Sequence, residues 1–298
     1  MEYVIFDLEW DNVFYKKEKR FINQILQIGA VKLDSDFNII DSFSVTIRSA
    51  LSKRVTGRFA TLTGITTEKM LAGIPLEQAV KLFNEFSRDA QVTMTWSDSD
   101  LFTIVENEKL LKDAGVSFNM NFYLDLQKMV QAKMREKGYE NKNQVSLEFA
   151  AEFFGVSTDG YAMHTAVDDS TVCGKLLKIC YNEDVFKSLL RDTKNPEFYR
   201  RLHFKAYPIV DINDNALDKT KFCFTCPECS AKLSRISKWK YRNRWFSSPF
   251  RCPKCNDRYI GRVFAKMTFD GVTYKQRLSK IEKKETQNEV QPMPETVQ

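Results

Sequence analysis

Residues 3–9, Tyr-Val-Ile-Phe-Asp-Leu-Glu, constrain the fold of this chain more than any other stretch. Tyr3 to Phe6 read as an apolar strand headed for a buried core. Asp7 and Glu9 then follow with one leucine between them. Alternate side chains of a strand share a face, so Val4, Phe6 and Leu8 point one way and Tyr3, Ile5, Asp7 and Glu9 the other. The two carboxylates become neighbours, roughly 7 Å apart at their Cα atoms. Two such charges repel, and one of them resists ionising unless cations are present. A solvated strand end satisfies this pattern as well as a cation site does, so the rest of the chain has to choose.

A chain of 298 residues has room for one large domain and a small one. Its hydrophobic content of 43% is that of an ordinary globular protein. No apolar run approaches the roughly 20 residues that span a membrane. The start, Met-Glu, lacks a basic stretch ahead of an apolar one, so a secretory signal is not expected and a cytoplasmic location is. The net charge of +6 hides a split. Residues 221–284 carry 17 Lys/Arg against 4 Asp/Glu, which leaves −7 on the remainder. A mildly acidic body with a basic appendage points to a polyanionic partner held by the appendage.

The pattern predicts an α/β unit over residues 1–185, a connector over 186–219, a cysteine-rich basic domain over 220–281 and a disordered tail over 282–298. The first strand, 3–9, leads into a polar basic loop. "NQILQIGAVKLD" and "FNIIDSFSVTIR" alternate as strands and complete an antiparallel meander. Helical spacing follows from Thr67, with Leu76, Ala79, Val80, Phe83 and Phe86 on one face. "AQVTMTW" is a short strand ending in "SDSD"; helices follow through "LDLQKMVQAKMREKG" and "SLEFAAEFFGV" to a last one over 165–181. Cys173 and Cys180, seven apart on the apolar face of that last helix, read as buried thiols.

Further acids and a histidine fall at element ends. "TWSDSDL" carries Asp98 and Asp100, and "HTAVDD" carries His164, Asp168 and Asp169. With "FDLEW" and "LTGIT" (Leu62 to Thr66), these blocks in this order resemble the DEDDh 3′–5′ exonucleases, which include ribonuclease T and polymerase proofreading subunits. The resemblance covers about 180 residues and implies a ribonuclease H-like mixed sheet flanked by helices. The family's second motif has its aspartate directly before an apolar residue, which selects Asp100 over Asp98. Its H-x4-D motif selects His164 and Asp169 over Asp168. One departure stands beside the first motif: Trp10-Asp11 occupy a place where the family often has Thr-Thr or Thr-Gly. That changes the wall that meets the terminal nucleotide and makes Trp10 an expected nucleic-acid contact.

The chemistry that the resemblance implies accounts for the opening stretch. Cleaving a phosphodiester needs an activated water and neutralisation of developing charge, and two divalent cations do both. Hard cations such as Mg2+ or Mn2+ take carboxylate oxygens. By resemblance, Asp7 bridges two ions, Glu9 and Asp169 hold one, Asp100 supports the other, and His164 is the general base. An imidazole, with an ordinary pKa of about 6.5, suits that task. His203 lacks such a context and reads as structural or surface.

The basic region has its own signature. Cys226-Pro-Glu-Cys229 and Cys252-Pro-Lys-Cys255 are matched knuckles across 22 intervening residues. Four thiolates suit one tetrahedral Zn2+, and with all four ligands from protein the site is structural, in the shape of a β zinc ribbon. Cys223 makes a rival pair with Cys226, but only the proline-containing pair mirrors the second knuckle. Between the knuckles, Lys238, Trp239, Lys240, Arg242, Arg244 and Trp245 interleave cations with aromatics, with Tyr241 and Phe246 beside them. Cations meet phosphates and rings stack on bases, so the expected partner is single-stranded nucleic acid. The rival reading has the aromatics filling a small core and the charges solvated. A catalytically inactive binding protein or a protein-docking adaptor on the same fold is the alternative to an enzyme.

Overall fold

The computed structural model describes residues 2–140, 143–161 and 164–281. The tail expected over 282–298 lies outside the described residues. The chain divides into two compact units, between His203 and Phe204.

The first unit opens with β1 (Glu2–Tyr15), β2 (Arg20–Leu33) and β3 (Ile39–Thr46), an antiparallel meander. β1 does not stop at Glu9. It pairs with β2 as far as Tyr15, because the stretch expected to be a loop carries its own cross-strand partners, Val13 with Ile22 and Phe14 with Phe21. Two short helices follow, α1 (Gly57–Thr63) and α2 (Thr67–Ala72), each started by a threonine cap, Thr56 and Thr66. Then come α3 (Leu76–Phe86), β4 (Ala90–Thr95), α4 (Ser99–Leu111), β5 (Phe122–Asp125), α5 (Leu126–Glu136), α6 (Leu147–Phe154) and α7 (Ala166–Cys180). The sheet order is β3-β2-β1-β4-β5-β6, where β6 is Arg191–Asp192, with β4 and β5 parallel to β1.

The alternation in β1 divides the core. Tyr3 and Ile5 pack with α5, α6 and α7 through residues such as Met129, Ala150, Val172 and Leu176. Val4, Phe6 and Leu8 pack on the other face with α3 and α4 through Val80, Phe83, Leu101 and Ile104. Each fully buried side chain of this kind contributes about 1.5–3 kcal/mol, so both helical layers hold β1 at the centre. The stretch expected as a connector is divided. α8 (Glu183–Leu189), β6 (Arg191–Asp192) and α9 (Pro196–His203) belong to the first unit, where β6 is the last strand of the sheet and Leu202 is buried. Two residues of strand and one amphipathic turn pair are too short for sequence periodicity to register.

The second unit is a small β domain: β7 (Tyr207–Pro208), β8 (Ser234–Arg235), β9 (Lys240–Arg242), β10 (Trp245–Arg251), β11 (Arg258–Thr268) and β12 (Gly271–Lys280). The path β12-β11-β10-β8 is extended by β9 on β10 and β7 on β11. Its core holds Phe222, Phe224, Phe246, Phe250, Tyr259 and Val263. Gly261 is needed there, since a Cβ would stand 2.6 and 2.7 Å from the rings of Phe224 and Phe250. Among the described residues no helix is long and apolar enough to cross a membrane.

Candidate active site and metal centres

Asp7 and Glu9 sit on the face of β1 that meets α7, opposite Gly29 and Gln27 of β2. Gly29 lets the helix come close: a Cβ there would lie 2.2 Å from Val167 N and 2.3 Å from the Ala166 carbonyl carbon. Gln27 Oε1 accepts from the Ala166 N–H at 3.2 Å, and the Ser170 hydroxyl donates to the Gly29 carbonyl at 3.2 Å. The first turn of α7 is thereby fixed over β1. Oxygens of Asp7, Glu9 and Asp169 all lie within 4.8 Å of one another. Sequence reading missed Gln27 and Gly29; a glycine inside an alternating strand was the available sign of close backbone approach.

Asp100 arrives from the other side. β1 and β4 pair only as far as Ile5 and Met94. Past that point the Leu8 N–H donates to Asp100 Oδ1 at 3.1 Å. A first-turn aspartate of α4 thus takes a strand donor that β4 no longer serves, and it is buried beside the other acids. Asp98 is turned away: its carboxylate takes the Tyr123 hydroxyl at 3.2 Å and Lys128 Nζ at 3.0 Å. Lys128 also pairs with Asp125 at 2.8 Å. Asp168 accepts from the Thr165 hydroxyl at 2.8 Å.

The electrostatics follow from this crowding. Burial, then the charges of Asp100, Glu9 and Asp169, push the Asp7 carboxyl well above the carboxylate range. Burial, then the charges of Asp169 and Asp100, push Glu9 up to about 8. Burial raises Asp100 to about 7 against the pull of the Leu8 N–H, and Asp169 to about 6 against that of the His164 N–H. Four crowded acids that resist ionising together are a donor set for hard cations.

His164 lies at the entrance to α7 with φ of 71°. Its N–H faces Asp169 Oδ1 at 3.4 Å, and its half-exposed ring has Nε2 3.9 Å from Glu148 Oε1 on α6. The imidazole is not among the ligand atoms of the acid cluster. Trp10 projects from the opposite face of β1 to Glu9 and packs partly buried on the Val4–Phe6–Leu8 cluster. Asp11 stands apart from the acids: it takes the Thr56 N–H at 2.6 Å and hydroxyl at 2.8 Å, tying α1 to β1.

In the second unit the sulfurs of Cys226, Cys229, Cys252 and Cys255 lie within 4.8 Å of one another. The two knuckles are built alike. The N–H of Ser230 returns to the Cys226 carbonyl (2.9 Å) and that of Asn256 to the Cys252 carbonyl (3.1 Å). Both residues take positive φ, 57° and 61°. The Tyr259 hydroxyl, 3.5 Å from Cys226 Sγ, holds that thiol down at about 6, which favours the thiolate. Four sulfurs so placed fit zinc. Cys223 is exposed and outside the cluster; Cys173 and Cys180 are buried in α7. Trp239 and Phe246 belong to the core: Trp239 meets Phe222 edge-on at 5.2 Å, and Phe246 is 1% exposed. Phe246 is therefore unavailable for stacking on bases. Lys238, Lys240, Arg242 and Arg244 are exposed, and Trp245 is half-buried.

The family described as Exonuclease (RNase_T) matches residues 4–177. The probable 3′-5′ exonuclease KapD of Bacillus subtilis (strain 168) is 26% identical over 191 residues, covering 62% of this chain and 84% of that protein. A solved full-length 3′-exonuclease superposes with a TM-score of 0.52 at 15% identity, over 65% of this chain and 91% of the other. Another 3′-exonuclease, solved for its 3′-end specific recognition of histone mRNA stem-loop, gives 0.51 at 16%, over 64% and 84%. These two likenesses speak to the fold. The family match spans more than half of the chain and the stretch that holds Asp7, Glu9, Asp100 and Asp169, so the chain belongs to the exonuclease family.

Proposed function

We propose that this exonuclease removes nucleotides one at a time from the 3′ end of single-stranded nucleic acid. The observation that carries the reading is the clustering of Asp7, Glu9 and Asp169 oxygens within 4.8 Å, with Asp100 pinned beside them by Leu8. Asp7, Glu9, Asp100 and Asp169 would hold two Mg2+ or Mn2+ ions, which when bound neutralise charge at the scissile phosphate. His164 takes the proton of the attacking water at Nε2, and Glu148, 3.9 Å away, offsets the charge that the ring gains. The bond from phosphorus to the 3′ oxygen breaks, that oxygen takes a proton from solvent, and a nucleoside 5′-monophosphate leaves. The Cys226, Cys229, Cys252 and Cys255 thiolates hold one structural Zn2+, and the second unit retains the nucleic acid.

Products distinguish this reading. A 3′-labelled oligonucleotide should release labelled mononucleotide from the first turnover, and His164→Asn should slow release on the order of 10²-fold or more. Internal fragments appearing before mononucleotide would contradict it. So would a His164→Asn rate equal to that of the natural protein.

A further inference from the structure

The strands β9 to β12 contain not one Asp or Glu. Register sorts their side chains. One face of the sheet carries Phe246, Phe250, Tyr259, Val263 and Ala265, which fill the core. The other face carries a row Lys240–Ser247–Arg262–Arg277, each residue paired to the next across the sheet. Beside it run Arg242 opposite Trp245 and Phe264 opposite Lys275. The Trp245 and Phe264 rings join these two pairs, 5.7 Å apart. Arg277 lies over Trp245 at 5.1 Å. Lys240, Arg242, Arg262, Lys275 and Arg277 are exposed, and among the described residues none is ion-paired with a carboxylate.

Such a face is unusual in two respects. Arg262 and Arg277, paired on neighbouring strands about 4.8 Å apart, repel one another unless anions lie over them. Two rings at the centre of a charged face lose apolar contact that the core could have given them. Both features have one use in common. A polyanion covers the cations while its bases cover the rings.

We infer that this face of the second unit's sheet is a platform for single-stranded nucleic acid, with Trp245 and Phe264 stacking on bases and the Arg262 and Lys275 rows meeting phosphates. The inference rests on the proposed nuclease function and names the surface that holds the substrate. It moves the contact away from Trp239 and toward Arg262, Phe264, Lys275 and Arg277. The occupant is a strand with accessible bases, since a duplex keeps its bases stacked inside and would engage only the cations.

The test uses the full chain, zinc-loaded, with Asp7→Asn to prevent cutting. Labelled single-stranded RNA and DNA 12-mers are titrated at several salt concentrations. Arg262→Glu with Lys275→Glu should weaken binding of at least one sugar type by about tenfold or more and flatten the salt dependence. Trp245→Ala should weaken binding about tenfold while leaving the salt dependence unchanged. Charge reversal at Lys81 and Lys112, exposed in the first unit, should change affinity less than twofold. Zinc content and circular dichroism of each variant establish that the second unit is folded. Equal losses for the two charge-reversed pairs would overturn the inference, as would natural affinity in the platform variants. A chain that fails to bind either oligomer at low salt would also overturn it and favour a protein partner. Failure of the nuclease reading is separate: the binding titration does not depend on cutting, so no cutting by the natural chain with Asp7 intact refutes the enzyme and not the surface.

Discussion

Asp7 is opposed by burial and by three neighbouring carboxylates, and this gives the site a measurable signature without cations. Glu9, Asp100 and Asp169 are held up at about 8, 7 and 6. The folded chain therefore keeps protons that the unfolded chain releases from about pH 4 upward. Because the native state binds more protons over that window, stability of the cation-free protein falls as pH rises from about 4 to about 8. Asp7→Asn removes one of the crowded charges. It should raise the thermal midpoint at pH 8 without magnesium by a few degrees, while activity drops on the order of 10²-fold or more. Magnesium should stabilise the natural chain and do little for the variant. Melting curves at pH 5 and pH 8 check this; an Asp7→Asn midpoint at pH 8 below that of the natural chain contradicts it. The meeting of Asp7, Glu9 and Asp169 was legible in the sequence, the first two from their shared strand face and the third from the motif that the family resemblance supplied. The ring direction of His164 was not, since no motif records where a side chain points from a residue with positive φ.

At the scale of elements, what matters is how α7 reaches β1. Gly29→Ala places a Cβ against the backbone of Ala166 and Val167, which cannot give way as a flexible side chain would. The helix start must shift, carrying Asp169 away from Asp7. Destabilisation of about 1–3 kcal/mol is expected, with kcat falling more than substrate affinity. Denaturant titration and steady-state kinetics measure both, and a stable variant with natural kcat contradicts the packing argument. The antiparallel meander, the longer helices and the paired knuckles were legible from periodicity and spacing, the mixed sheet only from the family resemblance, and short elements such as α1, β5 and β6 not at all. The length of β1 was not: its outer half reads as polar, and only the partner strand, with Phe21 opposite Phe14, makes it a hairpin. In β10, alternation sends Trp245 outward and Phe246 inward, so a basic-aromatic run divides between surface and core. Composition alone does not separate the two.

Across the whole molecule, each unit has its own apolar core, and the chemistry divides with them. The second unit is small and its four clustered sulfurs fit zinc, so Cys252→Ser should lose zinc and unfold that unit. The first unit should keep cutting very short substrates, while long substrates are cut with a raised KM. Zinc analysis with kinetics on a dinucleotide and a 30-mer tests this; a folded, zinc-free second unit in Cys252→Ser contradicts the staple. The measurement that bears most directly on the central claim is a gel time course. Single-stranded RNA and DNA of equal sequence, labelled at the 5′ end, are incubated with the natural chain and with Asp7→Asn, in magnesium or manganese. The account predicts a ladder shortening from the 3′ end on at least one substrate, absent in Asp7→Asn and absent without the cation. Binding without any shortening, or a ladder that persists in Asp7→Asn, contradicts it.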